Sequence, residues 1–163
     1  MKQLSLEGLN FSTTEVNIKD KVMTITLDRP EKKNAMNNVM MNEINYLLAY
    51  AKQEKDIRVV VFAANCDIFC AGADLSRTES KSNVPRLENS DDISLSLRHL
   101  YKPVICKIQG SVLAGALLIV SNATHAIAVD EATFSAPEIH RGLWPFMVMA
   151  GLFRVMPKRA GLD

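Results

Sequence analysis

Short strand-like runs alternate along this chain with segments of helical periodicity, and one of these runs has no polar face. Residues 58–63 read Arg-Val-Val-Val-Phe-Ala, a continuous β-branched stretch typical of a strand covered on both faces. Residues 22–27 alternate apolar side chains with threonines, which is the period of a half-buried strand. Because the recurring order is strand, strand, helix, the sequence predicts an α/β fold with stacked sheets.

The best-defined helix begins after Asn37. Apolar residues recur from there to Ala51 at helical spacing, and the Asn37 side chain can accept a free N–H at the N-cap. Further elements are predicted as strands at 104–108, 126–129 and 132–135, and as helices at 111–122 and 146–155. The helix at 111–122 is almost uniformly apolar, so we expect it to be buried on all sides.

Residues 76–90 are rich in Ser, Glu, Lys and Asn, which predicts a mobile surface loop. Ser90 is predicted to cap the helix that follows, with Asp91 and Asp92 favourable in its first turn.

Length and composition fit one globular domain over residues 1–163, with 48% apolar residues and a net charge of +1. There is no basic stripe and no cationic amphipathic helix, so we expect neither nucleic acid nor a membrane as partner. Cys66, Cys70 and Cys106 lack the spacing of a metal site and are interpreted as reduced thiols. The N-terminal residues carry no apolar leader segment, so a soluble, cytoplasmic protein is expected.

Two stretches place small residues next to the ends of apolar runs. They read Phe-Cys-Ala-Gly-Ala-Asp at 69–74 and Gly-Ser-Val-Leu-Ala-Gly-Ala at 110–116. At a junction between a strand and a helix, backbone N–H groups are left without partners, and two of them aimed at one oxygen stabilise charge that develops in a transition state. The other interpretation is that both stretches are tight turns between packed elements.

Four motifs carry a resemblance to a known family. They read Asp-Arg-Pro-Glu-Lys-Lys-Asn-Ala-Met-Asn at 28–37, Phe-Cys-Ala-Gly-Ala-Asp-Leu at 69–75, Lys-Ile-Gln-Gly at 107–110 and Phe-Ser-Ala-Pro-Glu at 134–138. In this order the chain resembles the crotonase, or enoyl-CoA hydratase/isomerase, family from about residue 16 onward. The resemblance implies a crotonase-like spiral of ββα units with two roughly perpendicular sheets. It also implies acyl-CoA thioesters as ligands and a homo-oligomer, either a trimer or a pair of trimers.

The resemblance further implies a set of site residues. The oxyanion hole falls on the N–H groups of Ala73 and Gly115, and the catalytic glutamate on Glu138, whose partly desolvated carboxyl could exchange protons near neutral pH. A first segment, residues 29–35, and a second, the loop 71–75, are expected to hold the CoA moiety, with Lys32 or Lys33 near its phosphates. Their residues are Arg29, Lys32, Lys33, Ala35, Ala71, Gly72, Asp74 and Leu75. Without the resemblance, the first segment would be interpreted as an ordinary solvated turn. No metal or redox cofactor is implied.

Leu118 stands where hydratases of this family carry a second glutamate. Leucine cannot exchange a proton, and neither Asn122 nor His125 lies at a spacing that replaces the carboxylate. One glutamate suffices in the isomerase branch, where it removes an α-proton and returns it two carbons away. We therefore expect double-bond isomerisation rather than hydration. The alternatives are an acyl-CoA-binding protein without turnover, or another reaction such as thioester hydrolysis or decarboxylation.

Two further expectations concern single residues. Asp74 is interpreted as a turn or capping residue, with a catalytic acid as the alternative. His140, taken as part of an extended segment, is expected to point elsewhere than the cleft, with a cleft-facing titratable group as the alternative.

The resemblance implies that helices covering the site and building the trimer would follow residue 163. We therefore expect the apolar surface around residues 144–155 to be buried against another subunit, or the chain to be less stable than longer relatives.

Overall fold

The computed structural model describes residues 3–76, 82–87 and 92–162. The strands are Thr14–Lys19 (β1), Val22–Leu27 (β2), Val59–Ala64 (β3), Ile68–Cys70 (β4), Val104–Ile108 (β5), Ser111–Leu113 (β6), His125–Ala128 (β7) and Phe134–Ser135 (β8). The α-helices are Asn38–Gln53 (α1), Ile93–Arg98 (α2), Leu117–Asn122 (α3), Phe146–Leu152 (α4) and Lys158–Leu162 (α5). Short 3₁₀ helices span Pro30–Lys32, Ala114–Ala116 and Pro137–Arg141. No helix in these three ranges has both the length and the apolar character needed to cross a membrane.

The strands form two sheets, and the chain moves between them in a regular way. The larger sheet has the order β1-β2-β3-β5-β7 and the smaller one β4-β6-β8. After β2, each pair of consecutive strands places its first strand in the larger sheet and its second in the smaller, and a helix follows (α2, α3 and α4 in turn). This repeat confirms the predicted α/β spiral of ββα units.

The hydrophobic core joins the larger sheet to helix α1. Met23, Ile25 and Leu27 on one face of β2 are fully buried, as their alternation predicts. They belong to the same cluster of buried residues as Ile44 and Leu47 of α1. The predicted N-cap of α1 is confirmed, because the Asn37 side chain accepts the N–H of Met40 at 2.8 Å.

The prediction of one fully buried helix over 111–122 is wrong. Residues Ser111–Leu113 form β6, which pairs in parallel with β4 on one side and with β8 on the other. Ala114 then adopts a left-handed conformation (φ 52°), and the α-helix begins only at Leu117. Leu118 is half-buried rather than enclosed. Pairing with strands remote in sequence therefore overrides the local apolar pattern.

The start of α2 also differs from its prediction. Asp92 is the N-cap, because its side chain accepts the N–H of Leu95 at 2.9 Å and the helix begins at Ile93. Ser90 and Asp91 lie outside the described residues, as do parts of the loop predicted at 76–90. Strand β1 was not predicted, because its sequence TEVNIK is largely polar and its side chains are mostly exposed.

The three cysteines are free thiols, as expected. Cys70 and Cys106 are buried, whereas Cys66 is half-buried. Burial raises the pKa of both the Cys70 and the Cys106 thiols to about 12.

Thiol reagents are expected to modify Cys66 in the native protein, and Cys70 and Cys106 only after unfolding. The thiolate is the reactive species, and burial keeps the other two thiols protonated and covered. Mass spectrometry after alkylation, with and without denaturant, shows which of the three thiols are labelled in each state. Equal labelling of all three thiols in the native protein would contradict the described packing.

Candidate active site

The first small-residue stretch follows β4 and is held by a short backbone bridge. Gly72 adopts φ 90°, and Ala73 then forms a parallel bridge with Met36. The Met36 N–H donates to the Gly72 carbonyl at 2.7 Å, and the Asp74 N–H donates to the Met36 carbonyl at 2.9 Å. Successive backbone groups of an extended segment point to opposite sides, so the N–H of Ala73 faces away from Met36. No helix follows within the described residues up to Ser76.

The second stretch leads from β6 into a 3₁₀ helix and then α3. Leu113 is the N-cap of the 3₁₀ helix Ala114–Ala116, so Gly115 lies in its first turn, where N–H groups have no partner inside the helix. In the described parts of the chain, neither the N–H of Gly115 nor that of Ala73 has an acceptor. Both N–H groups are therefore unpartnered within the described residues, and their role as an oxyanion hole stays a prediction.

The two stretches are in direct contact, and glycine at position 72 is what allows it. A Cβ atom on Gly72 would lie 2.6 Å from the Ala114 Cβ and 3.3 Å from the Gly115 nitrogen. A Cβ atom on Gly115 would in turn lie 3.9 Å from the Ala73 nitrogen. The left-handed φ of Gly72 adds a second reason for glycine there. Any side chain at this point would push the two amides apart.

A cleft of about 1380 Å³ opens above these amides. Its wall contains the predicted site residues Ala71, Ala73, Asp74, Leu75, Gly115, Leu118 and Glu138. Five other predicted residues are not on this wall, namely Arg29, Lys32, Lys33, Ala35 and Gly72. Much of the rest is apolar and comes from residues 143–148. The cleft thus combines a polar floor with an apolar wall, as small-molecule sites commonly do.

Three consecutive ββα units contribute one residue each to the centre of the cleft. Ala73 follows β4, Gly115 follows β6 and Glu138 follows β8, in each case within three residues of the strand end. These strands are neighbours in the smaller sheet and run parallel. Because the carboxyl ends of parallel strands meet at one edge, the topology itself gathers the three residues.

The Glu138 carboxylate lies on the wall of the cleft. It lies in the 3₁₀ helix Pro137–Arg141, whose first position is Pro137, and it is half-buried. Its Oε2 atom is buried, yet no described residue hydrogen-bonds to it. Buried polar atoms are nearly always paired, so an unpaired one on a cleft wall is available to a bound ligand. Leu118 lines the same cleft and offers no polar atom.

Asp74 is held on both sides by groups of its own chain. Its Oδ1 atom accepts the N–H of Ser76 at 2.8 Å and the Ser76 hydroxyl at 2.6 Å. Its Oδ2 atom forms an ion pair with Nη2 of Arg29 at 3.0 Å, without the alignment of a hydrogen bond. The bonds from Ser76, and beyond them the Arg29 guanidinium, lower the pKa of Asp74 to about 2. This geometry fits the turn interpretation and leaves the carboxyl ionised.

Arg29, predicted to hold the CoA moiety, points into the protein instead. Its side chain is only 4% exposed, and its guanidinium also donates to the carbonyl of Ala35. Lys33 is exposed and Lys32 is half-buried. Contact of these lysines with CoA phosphates stays a prediction.

The histidine and asparagine alternatives do not reach the cleft. His140 is exposed and is not on the cleft wall, as expected, but it lies on a 3₁₀ helix and not on the extended segment from which that was expected. Asn122 donates to the carbonyl of Leu118 at 2.8 Å and accepts from Arg154, and His125 is exposed on β7. Sequence reasoning missed Met36 and Arg141 on the cleft wall. Nothing in the local pattern shows that Met36 pairs with Ala73.

Comparison with known proteins agrees with this architecture. The enoyl-CoA hydratase/isomerase family model matches residues 17–162. The chain therefore belongs to the enoyl-CoA hydratase/isomerase family, as its four motifs predicted.

Individual relatives carry different activities in their names. A probable mitochondrial enoyl-CoA hydratase of Dictyostelium discoideum is 30% identical over 137 residues, covering 83% of this chain and 49% of that protein. The trans-2-decenoyl-acyl-carrier-protein isomerase of Streptococcus mutans is 31% identical over 144 residues, covering 84% and 55%. The chain thus spans about half the length of the curated relatives it matches.

Solved structures show the same fold. The crystal structure of an enoyl-CoA hydratase/isomerase from Mycobacterium paratuberculosis has a TM-score of 0.81 at 24% identity, covering 94% of this chain and 61% of that one. An enoyl-CoA hydratase from Shewanella pealeana has a TM-score of 0.73 at 28% identity, covering 92% and 59%. The crotonase fold expected from the motifs is confirmed.

Replacing Asp74 by Asn is expected to lower stability at neutral pH and to matter progressively less in acid. The native pKa of about 2 lies below the value of about 3.9 for an unfolded aspartate. The carboxylate therefore stabilises the folded state fully above about pH 4, and this contribution is lost as the pH falls through about 2. Urea unfolding of the wild type and the variant across this pH range measures the difference in their free energies of unfolding. A difference that did not change with pH would contradict the role of the charge.

Proposed function

We propose that this chain is an acyl-thioester enzyme that moves a carbon–carbon double bond by proton transfer. One observation carries the proposal. Within the described ranges, the N–H groups of Ala73 and Gly115 have no acceptor, and they share a cleft with a Glu138 carboxylate oxygen that has no partner. Donors for a developing oxyanion and a base for a neighbouring proton are the two groups that enolate chemistry needs.

In the proposed reaction the thioester oxygen of a 3-enoyl-CoA accepts hydrogen bonds from the N–H groups of Ala73 and Gly115. The Glu138 carboxylate removes a proton from C2, and the electron pair of that C–H bond moves into a dienolate with its charge on the oxygen. The carboxylic acid then returns the proton to C4, leaving the double bond between C2 and C3. No water is consumed, and the enzyme ends in its starting state.

Leu118 favours isomerisation over hydration in this proposal. Adding water across a double bond is helped by a second group that holds and orients the water, and a leucine side chain has no polar atom for that task. A single carboxylate is enough to shuttle one proton between two carbons. The names of the relatives include both hydratases and an isomerase, so they are compatible with either reaction.

Leucine at position 118 also supports a second candidate function, that of an acyl-CoA-binding protein with little or no turnover. In that case the cleft and its donors hold the thioester, and Glu138 has no reaction to serve. Hydrolysis or decarboxylation on the same oxyanion donors would be further variants of the enzyme proposal.

The remaining parts of the proposal concern ligands and setting. CoA enters as part of the substrate, and proton transfer next to a thioester carbonyl needs no metal or redox cofactor. A cytoplasmic location stays a prediction, since the names of several relatives place those proteins in mitochondria.

Glu138→Gln is expected to lower kcat with 3-enoyl-CoA by at least about 100-fold, since positioned acid–base groups contribute roughly that much or more. Binding of CoA thioesters should survive, because the amide is nearly isosteric. Wild-type turnover of 3-enoyl-CoA should exceed hydration of 2-enoyl-CoA, both followed by absorbance and chromatography.

Glu131→Gln is the matched control, because Glu131 is exposed on the turn between β7 and β8 and away from the cleft. Full activity of Glu138→Gln would refute the proposed base. A wild-type protein that binds acyl-CoA by calorimetry, yet turns over neither substrate, would establish the binding-protein alternative instead.

Self-association is expected for the isolated chain. Among the described residues, exposed large apolar side chains include two groups. Ile127, Val129 and Phe134 lie around β7 and β8, and Leu143, Trp144, Phe146 and Met147 lie before and within α4, where they also line the cleft. Patches of this kind are unusual on monomers. Size-exclusion chromatography with light scattering measures the mass, and we propose a trimer or hexamer. A stable monomer with a sharp thermal transition would contradict the prediction.

A further inference from the structure

We propose that Arg29 and Asp74 form a positioning pair that fixes the direction of the Ala73 N–H. The pair acts through the backbone and does not itself touch the substrate. This inference rests on the proposed function for its catalytic meaning, although its structural part can be tested without substrate.

The Arg29 guanidinium holds both sides of the bridge that orients Ala73. Its Nη1 atom donates to the carbonyl of Ala35, the residue before Met36. Its Nη2 atom lies 3.0 Å from Oδ2 of Asp74, the residue after Ala73. The Met36–Ala73 bridge itself has hydrogen bonds to Gly72 and Asp74. One rigid, planar cation therefore spans the two segments and sets how the bridge is aligned.

Hydrogen bonds to Asn34 fix the position of Arg29. Its N–H donates to the Oδ1 atom of Asn34 at 2.7 Å, and its carbonyl accepts the N–H of Asn34 at 2.9 Å. Asn34 is fully buried, adopts φ 54°, and its side-chain amide donates to the carbonyl of Phe69 at 3.3 Å in β4. The guanidinium is thus fixed relative to the strand from which the Ala73 loop emerges.

The Arg29 and Asp74 side chains are both buried, which favours their pairing with each other. The side chains of Arg29 and Asp74 are 4% and 5% exposed. A buried charge is costly unless an opposite charge accompanies it, so the loop is drawn to the position where Asp74 meets Arg29. Such a constraint is useful where a shift of about 1 Å in a catalytic group can cost about 100-fold in rate. The amide of Ala73 is the group that this constraint places.

The test compares four variants of the full 163-residue chain: Arg29→Met, Arg29→Lys, Asp74→Asn, and the double variant Arg29→Met/Asp74→Asn. Arg29→Lys keeps the charge, but a point-like ammonium cannot reproduce the fork that reaches both partners. The double variant removes both charges and so leaves none unpaired. Arg58→Met is the matched control, because Arg58 is an exposed arginine away from the cleft.

Three measurements separate positioning from mere stabilisation. Amide hydrogen exchange reports whether the N–H groups of Met36 and Asp74 remain bonded, with no substrate present. The carbonyl stretch of a bound acyl-CoA, by isotope-edited infrared difference spectroscopy, reports hydrogen bonding to the thioester oxygen. Steady-state kinetics separates kcat from KM.

In all four variants we expect faster exchange of the backbone N–H groups at positions 36 and 74 and a smaller downshift of the carbonyl stretch. We also expect kcat to fall by about 100-fold with little change in KM. The double variant should regain much of the unfolding stability lost in Asp74→Asn, yet keep the low kcat. Arg58→Met should match the wild type in every measurement.

The inference is overturned if Arg29→Lys and the double variant fold and keep wild-type exchange at Met36 and Asp74. It is also overturned if the double variant recovers kcat together with stability, since the pair would then be structural only. A wild type that is inactive on enoyl-CoA would refute the proposed function alone, because the exchange measurement still decides whether the pair holds the loop.

Discussion

Two hydrogen bonds join Met36 to the residues on either side of Ala73, and the geometry of the cleft depends on this bridge. Met36 is followed directly by Asn37, the N-cap of α1, whose apolar face is part of the core. The loop after β4 is therefore tied through one residue to the longest helix described. A backbone amide held in this way is oriented before a ligand arrives, and preorganised donors need no rearrangement during a reaction.

In this site the backbone supplies hydrogen-bond donors, and a side chain supplies the carboxylate. Ala73 and Gly115 contribute N–H groups, and the small residues at 72, 114 and 115 let the two turns approach closely. Among the described residues, Asp74 is held by Ser76 and Arg29 and Asp92 caps α2, whereas Glu138 keeps a buried oxygen without a partner. The surrounding apolar wall lowers the local dielectric constant, which strengthens hydrogen bonds to a developing charge. Leu118 adds no polar atom to this wall.

Local patterns predicted the elements whose burial follows their own periodicity. The alternation in β2 and the capped, amphipathic α1 are both confirmed, since each presents one apolar face. The assignment of residues 111–122 to one helix was wrong, because an apolar run is equally suited to a buried strand, and only pairing of β6 with β4 and β8 decides between them. Strand β1 was missed because its largely polar sequence shows no apolar pattern, and only its pairing with β2 defines it as a strand.

The sequence by itself determined the family, through four motifs in a fixed order, and named Ala73, Gly115 and Glu138 as the residues to examine. Motifs can do this because they record residue types whose chemistry or small size is needed at one position. Only the tertiary structure decided where the side chains between them point. It turned the Arg29 guanidinium inward onto Asp74 and Ala35, and it gathered the ends of β4, β6 and β8 at one edge. The Arg29–Asp74 ion pair and the strand pairings join segments that are distant in the sequence, so no local pattern contains these directions.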